Sequence, residues 1–440
     1  VINVKPEPTM SLKNTPSLLE RHRSVMPSWL SLYYKDPISL VSGDGRRVRD
    51  ANGEEYLDFF AGILTNMIGY NVPEIVEEIR DQAGKMLHTS TLYLIESQVE
   101  LAEEIAALSG IPDARVFFTS SGSEANDAAL MLATTFRRSN QVLAMRYSYH
   151  GRTMSTMPVT GHSTWSASSL SPFMVNYVHG SYPYRSPFAH LKGQDYIDAC
   201  VTDLKEILDV ATAGDVACLI AEPITGVGGF GTPPDGLFGD FQKVLKERGI
   251  LFISDEVQTG WGRTGEHFWG YQAHGVTPDI LTFAKGLGNG LAIGGLVARA
   301  EVMNCFKVNS LSTFGGNPLS TRGALATLRY LKKHDLQKNA ADRGRELREG
   351  LLTVASKSKT IGDVRGKGLM QGLEFVEPGT MKPNAKVSLA LLEETRARGL
   401  LIGRGGLYGN TNRIAPPLTI TADEVKEGLG IIEAAMAVIE

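Results

Sequence analysis

Ile280-Leu-Thr-Phe-Ala-Lys285-Gly-Leu-Gly-Asn-Gly290 runs from a short apolar stretch into a lysine and three glycines. An apolar run of this length, closed by a glycine cluster, reads as a buried strand. A lysine at the end of such a strand loses hydration, and burial depresses an amine's pKa toward the neutral, nucleophilic form. The plainer alternative is a strand-end lysine held in a salt bridge. Outward from this stretch, similar runs occur at 116–118, 142–145, 216–221, 250–253 and 293–297, with helical segments at 123–136 and 238–248 between some of them. This alternation predicts an α/β fold with a mostly parallel central sheet, each run a buried parallel strand. Ligands of such folds bind at the carboxyl ends of the strands.

Two other strand ends carry groups suited to chemistry. Run 116–118 leads into Thr119-Ser-Ser-Gly-Ser-Glu124 and then a helix. A turn of that kind offers backbone N–H groups and hydroxyls to an anion, helped by the helix dipole, although most such turns only cap a helix. Run 250–253 delivers Ser254-Asp255-Glu256-Val257-Gln258. Two acids there fit a metal site, a solvated surface pair or an acid/base pair. A phosphate cradle, an acid that keeps a pyridinium nitrogen protonated and a nucleophilic lysine are together what pyridoxal 5'-phosphate asks of a protein. That cofactor is an electron sink, which the acid strengthens, while the freed lysine moves a proton between substrate and cofactor carbons.

Composition narrows the remaining choices. The 440 residues are 42% hydrophobic and 21% charged, near the globular average. The net charge of −4 gives no footprint for nucleic acid or for an anionic membrane surface. No apolar run reaches the roughly eighteen residues of a membrane span. Cys200, Cys218 and Cys305 form no CxxC or Cys/His pair, so neither a disulfide framework nor a metal site is expected, and a reducing cytoplasm fits. No secretory signal is visible, and a processed targeting segment is left open because the chain begins with Val1. Pro6, Pro8, Pro16 and Pro27 mark an N-terminal arm leaning on another surface. Asp44-Gly45 and Asn52-Gly53 flank a small hairpin. A helix at 321–332 opens a C-terminal α+β portion, whose last helix starts at the capping box Thr421-Ala-Asp-Glu424. The expected division is an arm and part of a small domain at 1–65, a large cofactor-binding domain at 66–320, and the rest of the small domain at 321–440.

Five stretches, in order, carry a family resemblance: Ser121-Gly-Ser-Glu-Ala125, Tyr149-His-Gly-Arg-Thr153, Ser254-Asp-Glu-Val-Gln-Thr-Gly260, Ala284-Lys-Gly-Leu-Gly-Asn-Gly290 and Thr313-Phe-Gly-Gly-Asn-Pro318. Across roughly 44–417 the chain resembles the class III (ω-amino acid) aminotransferases of PLP fold type I. The resemblance implies that Gly122 and Ser123 bind the phosphate, Tyr149 stacks on the pyridine ring, Asp255 pairs with the ring nitrogen and Gln258 bonds the phenolic oxygen. It makes Lys285 the imine-forming lysine and has Thr313 reach the neighbouring subunit's phosphate, so that a homodimer, or a dimer of dimers, shares its sites. Glu222 lies near cofactor or substrate. Arg413, in Asn412-Arg-Ile-Ala-Pro-Pro417, matches the residue that grips an α-carboxylate, and Arg152 the one that holds a distal carboxylate in 4-aminobutyrate enzymes.

Two departures stand out. Many relatives read Glu-Pro-x-x-Gly-Glu, the second Glu neutralising the arginine at the position of Arg413; here Glu222-Pro-Ile-Thr-Gly226 is followed by Val227. This is similar to the alanine–glyoxylate or β-alanine–pyruvate branch. Gly69-Tyr-Asn-Val-Pro73 replaces a stretch that usually carries histidines. The resemblance implies a ping-pong transaminase that passes an amino group to a 2-oxo acid. The expected donor is an ω-amino acid such as 4-aminobutyrate or β-alanine, suggested by Arg152, with alanine and glyoxylate or pyruvate, suggested by Val227, as the alternative. An aminomutase or decarboxylating transaminase on the same fold would share the cofactor residues, and a cofactor-binding protein without turnover is the third possibility.

Overall fold

In the computed structural model, which describes residues 17–440, the central sheet has seven strands. Their spatial order is Ala114–Thr119, Gly294–Arg299, Ile280–Phe283, Leu251–Asp255, Cys218–Ala221, Gln141–Met145, Met174–Val178. From Ile280–Phe283 to Met174–Val178 all neighbours are parallel. Gly294–Arg299 runs antiparallel to both its neighbours, so the expectation of a parallel strand at 293–297 is corrected. The link 284–293 is shorter than the dozen or so residues a parallel crossover needs, and the chain simply turns back.

The four central parallel strands are buried at every position, as strands covered on both faces must be. Helix Leu237–Glu247 shows how the cover is made. It presents Phe238 to Phe252 on the sheet, the rings stacked at 5.6 Å, while Phe241 packs edge-on to Phe238. Burying an aromatic side chain of this size contributes about 2–3 kcal/mol. Helix Gly122–Arg137 starts one turn after Ala114–Thr119 ends, with Ser121 as its N-cap accepting from the Glu124 N–H.

Two smaller sheets combine sequence-distant segments. Leu40–Asp44, Arg47–Asp50 and Glu55–Asp58 form an antiparallel meander, and Leu400–Leu401 joins its edge in parallel. The hairpin flanked by Asp44-Gly45 is therefore present. Ile361–Lys367, Met370–Phe375, Thr411–Ile414 and Gly403–Gly405 make the second small sheet, all antiparallel. Helix Ala422–Ile439 carries the expected capping box, Thr421 and Glu424 each accepting from the other's N–H.

Tyr70 gives the unusual 69–73 stretch a structural purpose. Its backbone exchanges hydrogen bonds of 2.7 and 2.9 Å with Gly45, and its hydroxyl donates to Asp58 at 2.6 Å. It thereby pins the hairpin to the segment leading into helix Pro73–Lys85. Of the N-terminal arm, Pro6, Pro8 and Pro16 lie outside the described residues. Helix Leu18–Val25 buries no residue, and Trp29 beyond it is exposed.

Candidate active site

The strand ends at the carboxyl edge of the central sheet open onto a cavity of about 390 Å³. Its wall brings together Gly122, Ser123, Tyr149, Glu222, Asp255, Gln258 and Lys285. They come from five different strand-following segments, so the sheet's topology, not local sequence, assembles them.

Asp255 closes strand Leu251–Asp255 and is 3% exposed. A buried carboxylate needs partners, and this one has three. His150 Nδ1 lies 2.7 Å from Oδ2, Asn126 Nδ2 donates to the same oxygen at 2.7 Å, and the Val257 N–H donates to Oδ1 at 3.1 Å. Asn126 is itself fixed, donating also to the His150 carbonyl and accepting from Thr282 at 2.6 Å. The aspartate is thus oriented from behind. Glu256, the second acid of the pair, points elsewhere. It accepts from the Gly270 and Tyr271 N–H groups, each at 2.8 Å, and from Thr259 at 2.6 Å, so it anchors a loop.

Lys285 follows Ala284 at the top of strand Ile280–Phe283 and starts the short turn Lys285–Gly288 with φ +44°. It is reachable from the cavity, yet protein encloses it closely enough that burial lowers its amine's pKa, outweighing Asp255 and Glu222, which favour the charged form. Among the described residues the amine has no ion-pair partner, so the salt-bridge alternative fails. The turn is held by Asn289, whose side chain accepts from the Ile68 N–H and donates to the Gly69 carbonyl.

At the other end of the cavity, the Gly122 and Ser123 N–H groups point out of the first turn of their helix, where no intrahelical acceptor exists. The Ser123 hydroxyl accepts from the Arg152 N–H at 3.4 Å. Gly151 allows this: at φ +135° a Cβ there would stand 2.5 Å from the Ser123 oxygen. Tyr149 lines the wall with its ring edge-on to Trp165, and its N–H donates to Glu222 at 2.8 Å. Glu222 also accepts from the Gly226 N–H at 2.7 Å, and burial, with Asp255 adding, raises its carboxyl above the usual range. Gln258 packs on Gly226, where any Cβ would fall 2.1 Å from its amide nitrogen, and its buried Oε1 has no partner.

The remaining candidates lie off this wall. Arg413 is 4% exposed, on strand Thr411–Ile414, with its guanidinium 4.9 Å from the Phe60 ring centre and 5.7 Å from that of Phe230. It donates to the backbone carbonyls of Arg404 (3.0 and 3.2 Å) and Gly226 (3.3 Å); among the described residues no carboxylate pairs with it. Val227, next to that carbonyl, is buried. Arg152 does not reach the cavity wall. Its side chain is exposed and lies over Trp29 at 5.4 Å. Thr313 is exposed and away from its own chain's cavity. His150 and Asn126 carry no candidate role in the sequence; the only signal for His150 is its place beside Tyr149, and Asn126 has none.

The family profile for aminotransferase class III matches residues 33–436. The chain belongs to the class III aminotransferases. This aminotransferase is 39% identical over 409 residues to alanine–glyoxylate aminotransferase 2 homolog 2, mitochondrial, of Arabidopsis thaliana, spanning 92% of this chain and 84% of that one. It is 36% identical to the acetylornithine aminotransferase of Caldanaerobacter subterraneus subsp. tengcongensis over 93% of this chain and 97% of that protein. An amine transaminase from an uncultivated Pseudomonas species, solved in its PLP-bound form, superposes with a TM-score of 0.88 at 28% identity, covering all of both chains. The fold is PLP fold type I, and the cofactor of the family is pyridoxal phosphate. The wall fits that group. It offers anion-seeking N–H groups, an anchored carboxylate and a lysine amine whose charge burial disfavours. Among the described residues no His/Cys/Asp/Glu group could hold a metal, and no helix is long and apolar enough to cross a membrane.

Proposed function

We propose that this aminotransferase takes the amino group of a small α-amino acid such as alanine and passes it to a short 2-oxo acid such as glyoxylate or pyruvate. The observation that carries this is Arg413: a buried guanidinium between two aromatic rings, held only by carbonyl oxygens, with Val227 where a neutralising Glu would stand. A bidentate donor in that setting gains most from an incoming carboxylate, because desolvated charges interact strongly. The relative named alanine–glyoxylate aminotransferase 2 supports the same choice. An ω-amino donor rests on Arg152, whose side chain stands off the cavity on Trp29 and so lends it less support.

Each residue then has a task. Gly122 and Ser123 N–H groups would hold the phosphate. Tyr149 would pack against the ring, and the Gln258 amide would donate to its phenolic oxygen. Asp255, fixed by His150 and Asn126, would keep the ring nitrogen protonated. Pyridoxal phosphate supplies the electron sink that stabilises negative charge at the substrate α-carbon. The Lys285 amine would move the proton from that carbon to the cofactor carbon that carries the nitrogen, and burial, which disfavours its charge, lowers its pKa below that of a free lysine. Arg413 sets the substrate's orientation by its carboxylate, and Thr313 completes the partner's phosphate site in a homodimer.

The test is a half-reaction screen on the holoenzyme, following the cofactor's visible absorbance with L-alanine, β-alanine and 4-aminobutyrate in turn. Alanine should react with the highest kcat/KM, and glyoxylate or pyruvate should restore the spectrum. Fast reaction with 4-aminobutyrate and none with alanine would reverse the substrate choice. Carbon dioxide release would move the enzyme to the decarboxylating class.

A further inference from the structure

Behind Arg413 lies a buried ionic cluster with no part in the proton chemistry. Arg365, on strand Ile361–Lys367, donates through Nε to the Gly229 carbonyl at 2.8 Å, and through one Nη to the Tyr182 hydroxyl at 2.5 Å and Thr411 Oγ1 at 3.2 Å. Its other Nη pairs with Asp363 at 2.8 Å and Glu374 at 2.7 Å. Glu374, fully buried on strand Met370–Phe375, also accepts from Tyr182, Arg185 and, at 3.2 Å, Asn410. This cluster touches two of the segments that define Arg413's place. Gly229 belongs to the turn bridged by Thr225 and Gly231, whose Gly226 carbonyl accepts from Arg413; Thr411 begins the strand that carries Arg413.

A buried ion pair seldom stabilises a fold more than apolar residues of equal volume would, and its best-attested use is to fix register. Apolar replacements could hold these segments together, but without directional bonds to a carbonyl on one and a hydroxyl on the other. We propose that Arg365, Glu374 and Tyr182 are positioning residues that set the depth and angle of the Arg413 guanidinium for a substrate α-carboxylate. This rests on the assignment of Arg413 as the α-carboxylate residue.

The experiment measures half-reactions of three holoenzyme variants, Tyr182→Phe, Glu374→Gln and Arg413→Ala, with L-alanine and with 1-phenylethylamine, which lacks a carboxylate. Tyr182→Phe removes one hydroxyl and keeps the ring, so it guards against a folding failure of Glu374→Gln. Tyr182→Phe and any folded Glu374→Gln should raise the apparent Kd for alanine on the order of tenfold, the scale of one charge-linked hydrogen bond. The limiting rate with alanine and all constants with the amine should stay within about twofold of wild type. Equal weakening toward both substrates, or no change toward alanine while Arg413→Ala weakens it strongly, overturns the positioning role alone. An unchanged alanine Kd in Arg413→Ala overturns the carboxylate assignment, and the positioning role with it.

Discussion

Lys285 combines an accessible path from the cavity with surroundings that disfavour its charge. Lys285→Ala should abolish borohydride-trapped cofactor and cut turnover by several orders of magnitude; label trapped on another lysine of the unmodified enzyme would refute the assignment. The lowered pKa has a direction that can be tested in the cofactor-free protein. The amine is neutral above its pKa, so the rate of cofactor capture should rise with pH and level off below the 10.5 of a free lysine. A rate still climbing at that pH in a stable protein would mean the amine is not desolvated. Asp255→Asn keeps the shape and the His150 contact but removes the charge on the ring nitrogen. The expected fall in kcat is on the order of a hundredfold, the scale of one electrostatic stabiliser, and a near-normal kcat would remove Asp255 from the chemistry.

On the proposed role of Arg413, the turn between Glu222 and Gly231 is the element where substrate choice would be set. Val227→Glu would bring a carboxylate beside Arg413, and opposite charges in so dry a place pair tightly. Alanine and pyruvate should then bind more weakly, while an amine lacking the carboxylate should be little affected. Equal effects on both, or tighter pyruvate binding, would separate Arg413 from the carboxylate. At this scale the sequence was informative wherever periodicity and burial coincide. Four of the parallel neighbours, Gln141–Met145, Cys218–Ala221, Leu251–Asp255 and Ile280–Phe283, and the helices Gly122–Arg137 and Leu237–Glu247 fall on apolar runs or amphipathic stretches visible in the residues, whereas the half-exposed edge strand Met174–Val178 was missed. The direction of Gly294–Arg299 was not visible, because an apolar run looks the same in either direction and only the short link before it distinguishes them. The residues gathered on the cavity wall were legible through the motifs that hold them. Asn126 and His150 were not, since their importance lies in a distance across the sheet to Asp255. Nor was Arg152's outward course, which Trp29 in a distant segment accompanies.

For the whole molecule, Thr313 stands exposed and off its own chain's cavity, and the proposal that it serves a partner can be tested directly. In a two-fold dimer, mixing Lys285→Ala with Thr313→Ala subunits yields one site with both defects and one with neither. Activity should rise above that of either parent; no rise, with subunit exchange confirmed, would mean the sites are independent. The pairing of Leu400–Leu401 with Glu55–Asp58 bears on a different event, synthesis of the chain on the ribosome. Every strand of the central sheet has been made once Arg299 emerges, but Leu57 and Asp58 must wait for Leu400 and Leu401 to complete theirs. At about 5–20 residues per second, that leaves the N-terminal hairpin one edge short for tens of seconds, its apolar Tyr56 and Leu57 uncovered. Nascent chains stalled before residue 400 should therefore be cleaved by protease near the hairpin while 114–299 resists. Equal resistance of both would show that the hairpin docks without its last strand.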